Sequence, residues 1–142
     1  MGLFRIIHLT DMKLLCLFIP FILSFFMFAP QADVIDRTAE LLKDGNVHEL
    51  AGTFSSTIEM TIMEDENVYS SSQAEQLLAN FLKRCPPRSA KVFHRITSNA
   101  NYRYAVIILN TSNGTYRTCI ALKNVNGKFE LNELRIEAEK TK

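Results

Sequence analysis

The spacing of apolar residues changes several times along this chain. From Leu14 to Phe28 they form one continuous run, "LLCLFIPFILSFFMF". Beyond Asp33 the period becomes helical: Val34, Ile35, Thr38, Leu41 and Leu42 share a face, with Asp33 placed to cap the first turn. Gly45 is placed to end that helix in a left-handed conformation. "NVHELAGTF" predicts one further helical turn, capped by Asn46. "STIEMTIM" then alternates, with Ile58, Met60 and Ile62 against Thr57, Glu59 and Thr61. That is a strand with one buried face, and it points Glu59 to solvent. "EDEN" reads as an acidic turn and "VYS" as a short strand. "SQAE", Ser72 to Glu75, reads as a capping box opening a helix that aligns Ala74, Leu77, Leu78, Phe81 and Leu82. Cys85-Pro86-Pro87 stops it, because proline disfavours helix in the residue before it. The remainder is strand-like, over 90–97, 102–111, 115–124 and 128–137.

Two Asn-Gly pairs, Asn113-Gly114 and Asn126-Gly127, punctuate that remainder. Both residue types tolerate positive φ, so each pair predicts a two-residue type I′ hairpin turn. Asn113-Gly114-Thr115 also matches a glycan acceptor, but the turn reading is preferred. Taken as such a turn, the first pair opposes Ser112 to Thr115, Leu109 to Thr118, Ile107 to Ile120 and Ala105 to Leu122. That bulky face is assigned to the helices. The opposite face then pairs Ile108 with Cys119 and Val106 with Ala121, a small apolar patch with a polar rim. Such a patch suits association, most simply a symmetric homodimer. A slip of one residue would exchange the faces.

The apolar run follows the basic residues Arg5 and Lys13, contains Pro20 and is followed by "APQA". It is shorter than the roughly 20 residues of a spanning helix. Residues 1–32 therefore read as an export signal, with Met12 as an alternative start, and 33–142 as a single α+β domain, periplasmic or secreted. No stable membrane insertion is expected after cleavage. Of 16 Lys and Arg and 15 Asp and Glu, the signal holds Arg5, Lys13 and Asp11, leaving a neutral domain, 14 against 14. A neutral domain has no basic field to hold a nucleic acid, and Lys83, Arg84, Arg88, Lys91 and Arg95 read as a solvated helix end and strand edge. Cys85 and Cys119 remain after Cys16 leaves. Two cysteines form neither a disulfide framework nor a metal pattern, and their opposite faces argue against a bond between them.

The run "ELLKDGNVHELAGTF…IEMTI…VYSSSQAEQLLANFLK…PP", then "TSNGTYR" and "NELRIE", resembles a family of small exported bacterial proteins catalogued as a domain of unknown function, DUF4783. The resemblance spans roughly Val34 to Glu139. It implies a nuclear-transport-factor-2-like cone, the ketosteroid-isomerase-like or cystatin-like fold, in which a curved antiparallel sheet wraps N-terminal helices. It implies no activity. That fold hosts isomerases, dehydratases, ligand binders and interaction modules, so function has to be argued from the site.

Catalysis in such a cone needs a base and a proton donor that converge. His94, Tyr102 and Tyr104 are the weak candidates, with His48, Tyr69 and Tyr116 behind them. His94 reads first as an exposed strand residue, His48 as a helix-surface one, and Glu64 to Glu66 as a solvated turn. No nucleophile elbow, phosphate loop or metal-ligand spacing occurs, so no cofactor or metal is expected. The favoured reading is a non-catalytic envelope module that binds a small ligand or another envelope protein. The alternative is a small-molecule isomerase or dehydratase using a His/Tyr acid–base pair. Val106, Ile108, Cys119 and Ala121 are the candidate association face.

Overall fold

A computed structural model describes residues 32–140. Most of the expected export signal, residues 1–31, lies outside the described residues. The chain forms helix α1 (Val34–Asp44) and short helix α2 (Val47–Ala51). Strands β1 (Phe54–Ile62) and β2 (Asp65–Ser70) follow, then α3 (Ser71–Arg84). The last four strands are β3 (Pro87–Ile96), β4 (Tyr102–Thr111), β5 (Gly114–Val125) and β6 (Lys128–Ala138). They make one six-stranded sheet in the order β2-β1-β6-β5-β4-β3. Every neighbouring pair is antiparallel except β1 and β6, which run parallel and join the first hairpin to the later meander.

Local chemistry sets the helix ends. Gly45, at φ 65°, brings its own N–H to Leu42 O and that of Asn46 to Leu41 O, a Schellman closure. Asn46 then accepts from the Glu49 N–H and opens α2. Asp33 does not cap α1 with its side chain. Arg95 on β3 takes that carboxylate at 3.1 Å and Asp36 at 2.7 Å, tying the start of α1 to the sheet. This Arg95 contact holds the Asp36 carboxyl below its usual value. The capping box sits two residues earlier than the sequence reading placed it: Ser70 and Gln73 exchange the bonds. Strand β2 runs directly into α3 without a loop, so Ser70 is the last extended residue, and Glu75 is left to meet His48 Nδ1 at 2.9 Å. The acidic turn is shorter than expected. Only Met63 and Glu64 lie between paired residues Ile62 and Asp65, with Met63 at φ 61°, so Asp65, Glu66 and Asn67 belong to β2.

The two Asn-Gly pairs behave differently. Asn126-Gly127 is the expected two-residue turn, with φ of 53° and 85° between Val125 and Lys128. At the other turn Thr111 opposes Gly114, so Ser112 and Asn113 make the loop and Gly114, at φ 140°, begins β5. The cause is remote in sequence. The Asn113 side-chain amide donates to Arg84 O, and Ser112 N donates to Pro86 O, so the turn closes the end of α3. An amide so engaged favours structure over a glycan at this site.

The expected register is corrected accordingly. Leu109 opposes Tyr116, Ile107 opposes Thr118, Ala105 opposes Ile120, Val106 opposes Cys119, Ile108 opposes Arg117 and Tyr104 opposes Ala121. The displacement is two residues, and an even displacement preserves the faces because side chains alternate with period two. Ala105, Ile107, Leu109, Ile120 and Leu122 therefore turn inward and are fully buried. With Ile58, Met60, Leu131, Leu134 and Ile136 they meet Ile35, Leu42, Leu50 and Leu78 from the helices. Each large side chain so buried contributes about 1.5–3 kcal/mol. The Phe81 ring meets Tyr116 edge-on, with centroids 5.2 Å apart.

Ile107→Lys places an unpaired charge in this core and should cost on the order of 5 kcal/mol, comparable with the whole stability of a small domain. Its half-buried neighbour Ile108 faces the other way, and Ile108→Lys should leave the fold intact in thermal melting. The reverse outcome would mean that the faces are inverted.

Candidate functional site

Most of the inner face of the sheet is filled with apolar side chains. The buried polar side chains on the helix side include Thr38 of α1, whose hydroxyl donates to Val34 O at 2.8 Å, and Thr118 of β5, whose hydroxyl has no partner among the described residues. The sequence candidates for acid–base work lie elsewhere. Even-numbered β4 residues point away from the helices, and this outer face carries Tyr102 and Tyr104. His94 opposes Val106 beyond an irregularity that leaves Phe93 unpaired, and it joins the same face, exposed. His48 is exposed on α2, beside Glu75 of α3. Glu59 is exposed on β1. Tyr69 and Tyr116 are the inward exceptions: Tyr69 opposes buried Ile58 on the first hairpin, and the Tyr116 hydroxyl lies 3.5 Å from the Cys85 sulfur, a contact that raises its phenol above the ordinary value.

Val106, Ile108, Cys119 and Ala121 lie together on the outer face. Val106 and Ala121 are already covered within the chain. The large exposed apolar side chains on this face are instead Val68, Ile96, Tyr102 and Val125, none of which the sequence placed in the association face. Cys85 and Cys119 are both free, and they lie on opposite sides of the sheet.

One concavity on the helix side does combine apolar and polar groups. A cleft of about 390 Å³ opens between α3 and the β1–β2 hairpin, lined by Met60, Ile62, Asp65, Tyr69, Leu77, Asn80 and Arg84. The pleat supplies Met60 and Ile62 from β1 and Asp65 and Tyr69 from β2, since these register partners share the inner face. Helical spacing supplies Leu77, Asn80 and Arg84, at i, i+3 and i+7 of α3. A shallower groove continues from it past Tyr69, Gln73 and Gln76. Among the described residues neither Asp65 nor Arg84 has an ion-pair partner, so a cation, an anion and an amide surround an apolar floor. Its trace in the sequence is faint: Asn80 and Arg84 stand as polar residues beside the apolar face of α3. None of His94, Tyr102 and Tyr104 lines it. Among the described residues no group of three His, Cys, Asp or Glu could hold a metal ion.

The family profile described as "Domain of unknown function (DUF4783)" matches residues 35–137, and the chain belongs to that family. A DUF4783 protein from Bacteroides uniformis is similar in structure, with a TM-score of 0.72 and 22% identity over 77% of this chain and 100% of that one. A designed protein of the NTF2 type follows at 0.56 and 14% identity, covering 72% of this chain and 92% of its own. A cystatin-like domain of unknown function from Nostoc punctiforme follows at 0.59 and 9%, covering 73% and 72%. These likenesses establish the NTF2-like, cystatin-like α+β fold. No curated protein matches the chain.

Tyr104 gives the outer face a titration signature. The neighbouring Cys119 thiol, then burial and the nearby Glu133 charge, push the phenol up to about 12 from 10.0. The unfolded chain releases this proton first, so the linked stability is complete below about pH 10 and is lost between 10 and about 12. An absorbance titration should contain a component near 12 that Tyr104→Phe removes and Cys119→Ala moves toward 10. A component unmoved by Cys119→Ala would refute the role of the thiol.

Proposed function

We propose that this protein is an exported, non-catalytic module of the cell envelope that binds a small ligand, or an apolar segment of another envelope protein, in the cleft between α3 and the β1–β2 hairpin. The observation that carries the reading is the cleft itself. Met60, Ile62 and Leu77 offer an apolar floor, and Asp65, Asn80 and Arg84 stand at it without ion pairs. Its volume of about 390 Å³ falls at the lower end of the range of small-molecule sites, about 300–1,000 Å³. The apolar filling of the cone supports binding over catalysis, and no His/Tyr pair converges at the cleft. Export rests on the apolar run Leu14 to Phe28 behind Arg5 and Lys13, followed by small residues.

The test is native mass spectrometry of protein purified from its own envelope fraction. The chain should begin near Asp33 and carry a bound molecule. Leu77 is half-buried at the cleft, and Leu77→Glu should abolish that bound mass while the circular dichroism is unchanged. An intact Met1 or Met12 in a membrane pellet would contradict export. A bound mass retained by folded Leu77→Glu protein, or no bound mass in the parent, would contradict the cleft.

A further inference from the structure

Strand β2 passes into α3 without a loop, so the first hairpin and the helix diverge from one point, the junction of Ser70 with Ser71. The chain then fixes how deep each residue of the cleft lies. At about 3.3 Å per strand residue, Tyr69 stands about 3 Å from the junction and Asp65 about 17 Å from it. At about 1.5 Å per helix residue, Leu77 stands about 9 Å along α3, Asn80 about 14 Å and Arg84 about 20 Å. Met60 opposes Asn67, level with Leu77. The apolar floor therefore lies toward the closed end, whereas Asp65 and Arg84 both stand at the open end, with Asn80 just inside it. Both charged residues are exposed, and neither forms an ion pair among the described residues.

From this arrangement we propose that the cleft takes a free α-amino acid with an apolar side chain, bound as its zwitterion. The inference rests on the reading of the cleft as a small-ligand site and names the ligand's class. The side chain of the ligand lies on Met60 and Leu77. Its ammonium donates to the Asp65 carboxylate, and its carboxylate accepts from the Arg84 guanidinium, with the Asn80 amide beside it. An α-amino acid carries both charges at one end and its apolar chain at the other, which is how the cleft distributes its own groups. A ligand with a single charge would cover the second charged residue of the site and leave it desolvated without a partner. A zwitterion leaves neither unpaired, and both contacts it makes are charge-assisted hydrogen bonds, about twice as strong as neutral ones. An amino acid with its charges at opposite ends would drive one of them onto the apolar floor. The volume of about 390 Å³, near the small end of ligand sites, suits a molecule of this size.

Calorimetric titration of dialysed protein from its own envelope fraction tests this, with L-leucine as the probe. L-Leucine should bind. N-acetyl-L-leucine, L-leucinamide and glycine should each bind at least about tenfold more weakly, since they lack in turn the ammonium, the carboxylate and the apolar chain. ε-Aminocaproic acid, an isomer of leucine with its charges at opposite ends, should be weaker by at least the same factor. Asp65→Asn and Arg84→Gln should each weaken L-leucine at least about tenfold. Glu66→Gln removes a charge from the outer face of the same strand and should leave binding unchanged. No binding of L-leucine, equal binding of its blocked forms or isomer, or full binding by the Asp65 and Arg84 variants would each overturn the inference. Its failure is distinguishable from that of the cleft itself. A co-purified molecule lost from Leu77→Glu protein but kept by Asp65→Asn and Arg84→Gln protein would leave the cleft standing and overturn the amino acid.

Discussion

A sheet with helices on one side can bury only one of its faces fully, and in this protein the alternation along β4 and β5 decides which. Ala105, Ile107, Leu109, Ile120 and Leu122 must all lie inward together, because period two permits no mixture. Once they do, α1 and α3 have an apolar surface to settle on. Arg95 then holds the start of α1 to β3, and the Asn113 amide holds the end of α3 to the β4–β5 turn. The six-stranded order follows from the same requirement. Placing β1 beside β6 continues the buried rows Met60–Leu134–Ile120 and Ile62–Ile136–Thr118 into the first hairpin.

The functional consequences come from where that burial stops. Helix α3 turns Leu78, Phe81 and Leu82 into the core, and Leu77, Asn80 and Arg84 face the hairpin without closing on it. The gap left there is the cleft. Among the described residues no helix packs on the other side of the sheet, and side chains there are free to carry charge. The absence of acid from β3 to β5 is then a property of that surface, invisible to the neutral total of the domain.

How much of this was legible in the sequence follows from the range of each interaction. Gly45, Asn46, the stop at Cys85-Pro86 and the turn at Asn126-Gly127 act within a few residues, and each stands where the spacing places it. The misplacements have distant causes. Asn113 forgoes a type I′ turn because Arg84 O lies within its reach, and Asp33 forgoes capping because Arg95 claims its carboxylate. Ser72 forgoes its capping box because β2 extends to Ser70. The cleft was unreadable for a related reason: it joins β1, β2 and α3, and no local pattern announces that their side chains stop short of each other. The face assignment survived a wrong register because the error was even.

The native thiols test the central division of the sheet most directly. Cys119 is half-buried on the outer face, and Cys85 is buried at the C-terminal end of α3 beside Tyr116. In dilute, folded protein purified under non-reducing conditions and lacking the export signal, a thiol reagent followed by peptide mapping should modify Cys119 and spare Cys85 until the chain is unfolded. Preferential modification of Cys85, or a disulfide joining the two, would mean that these residues do not lie on opposite faces and would contradict the account.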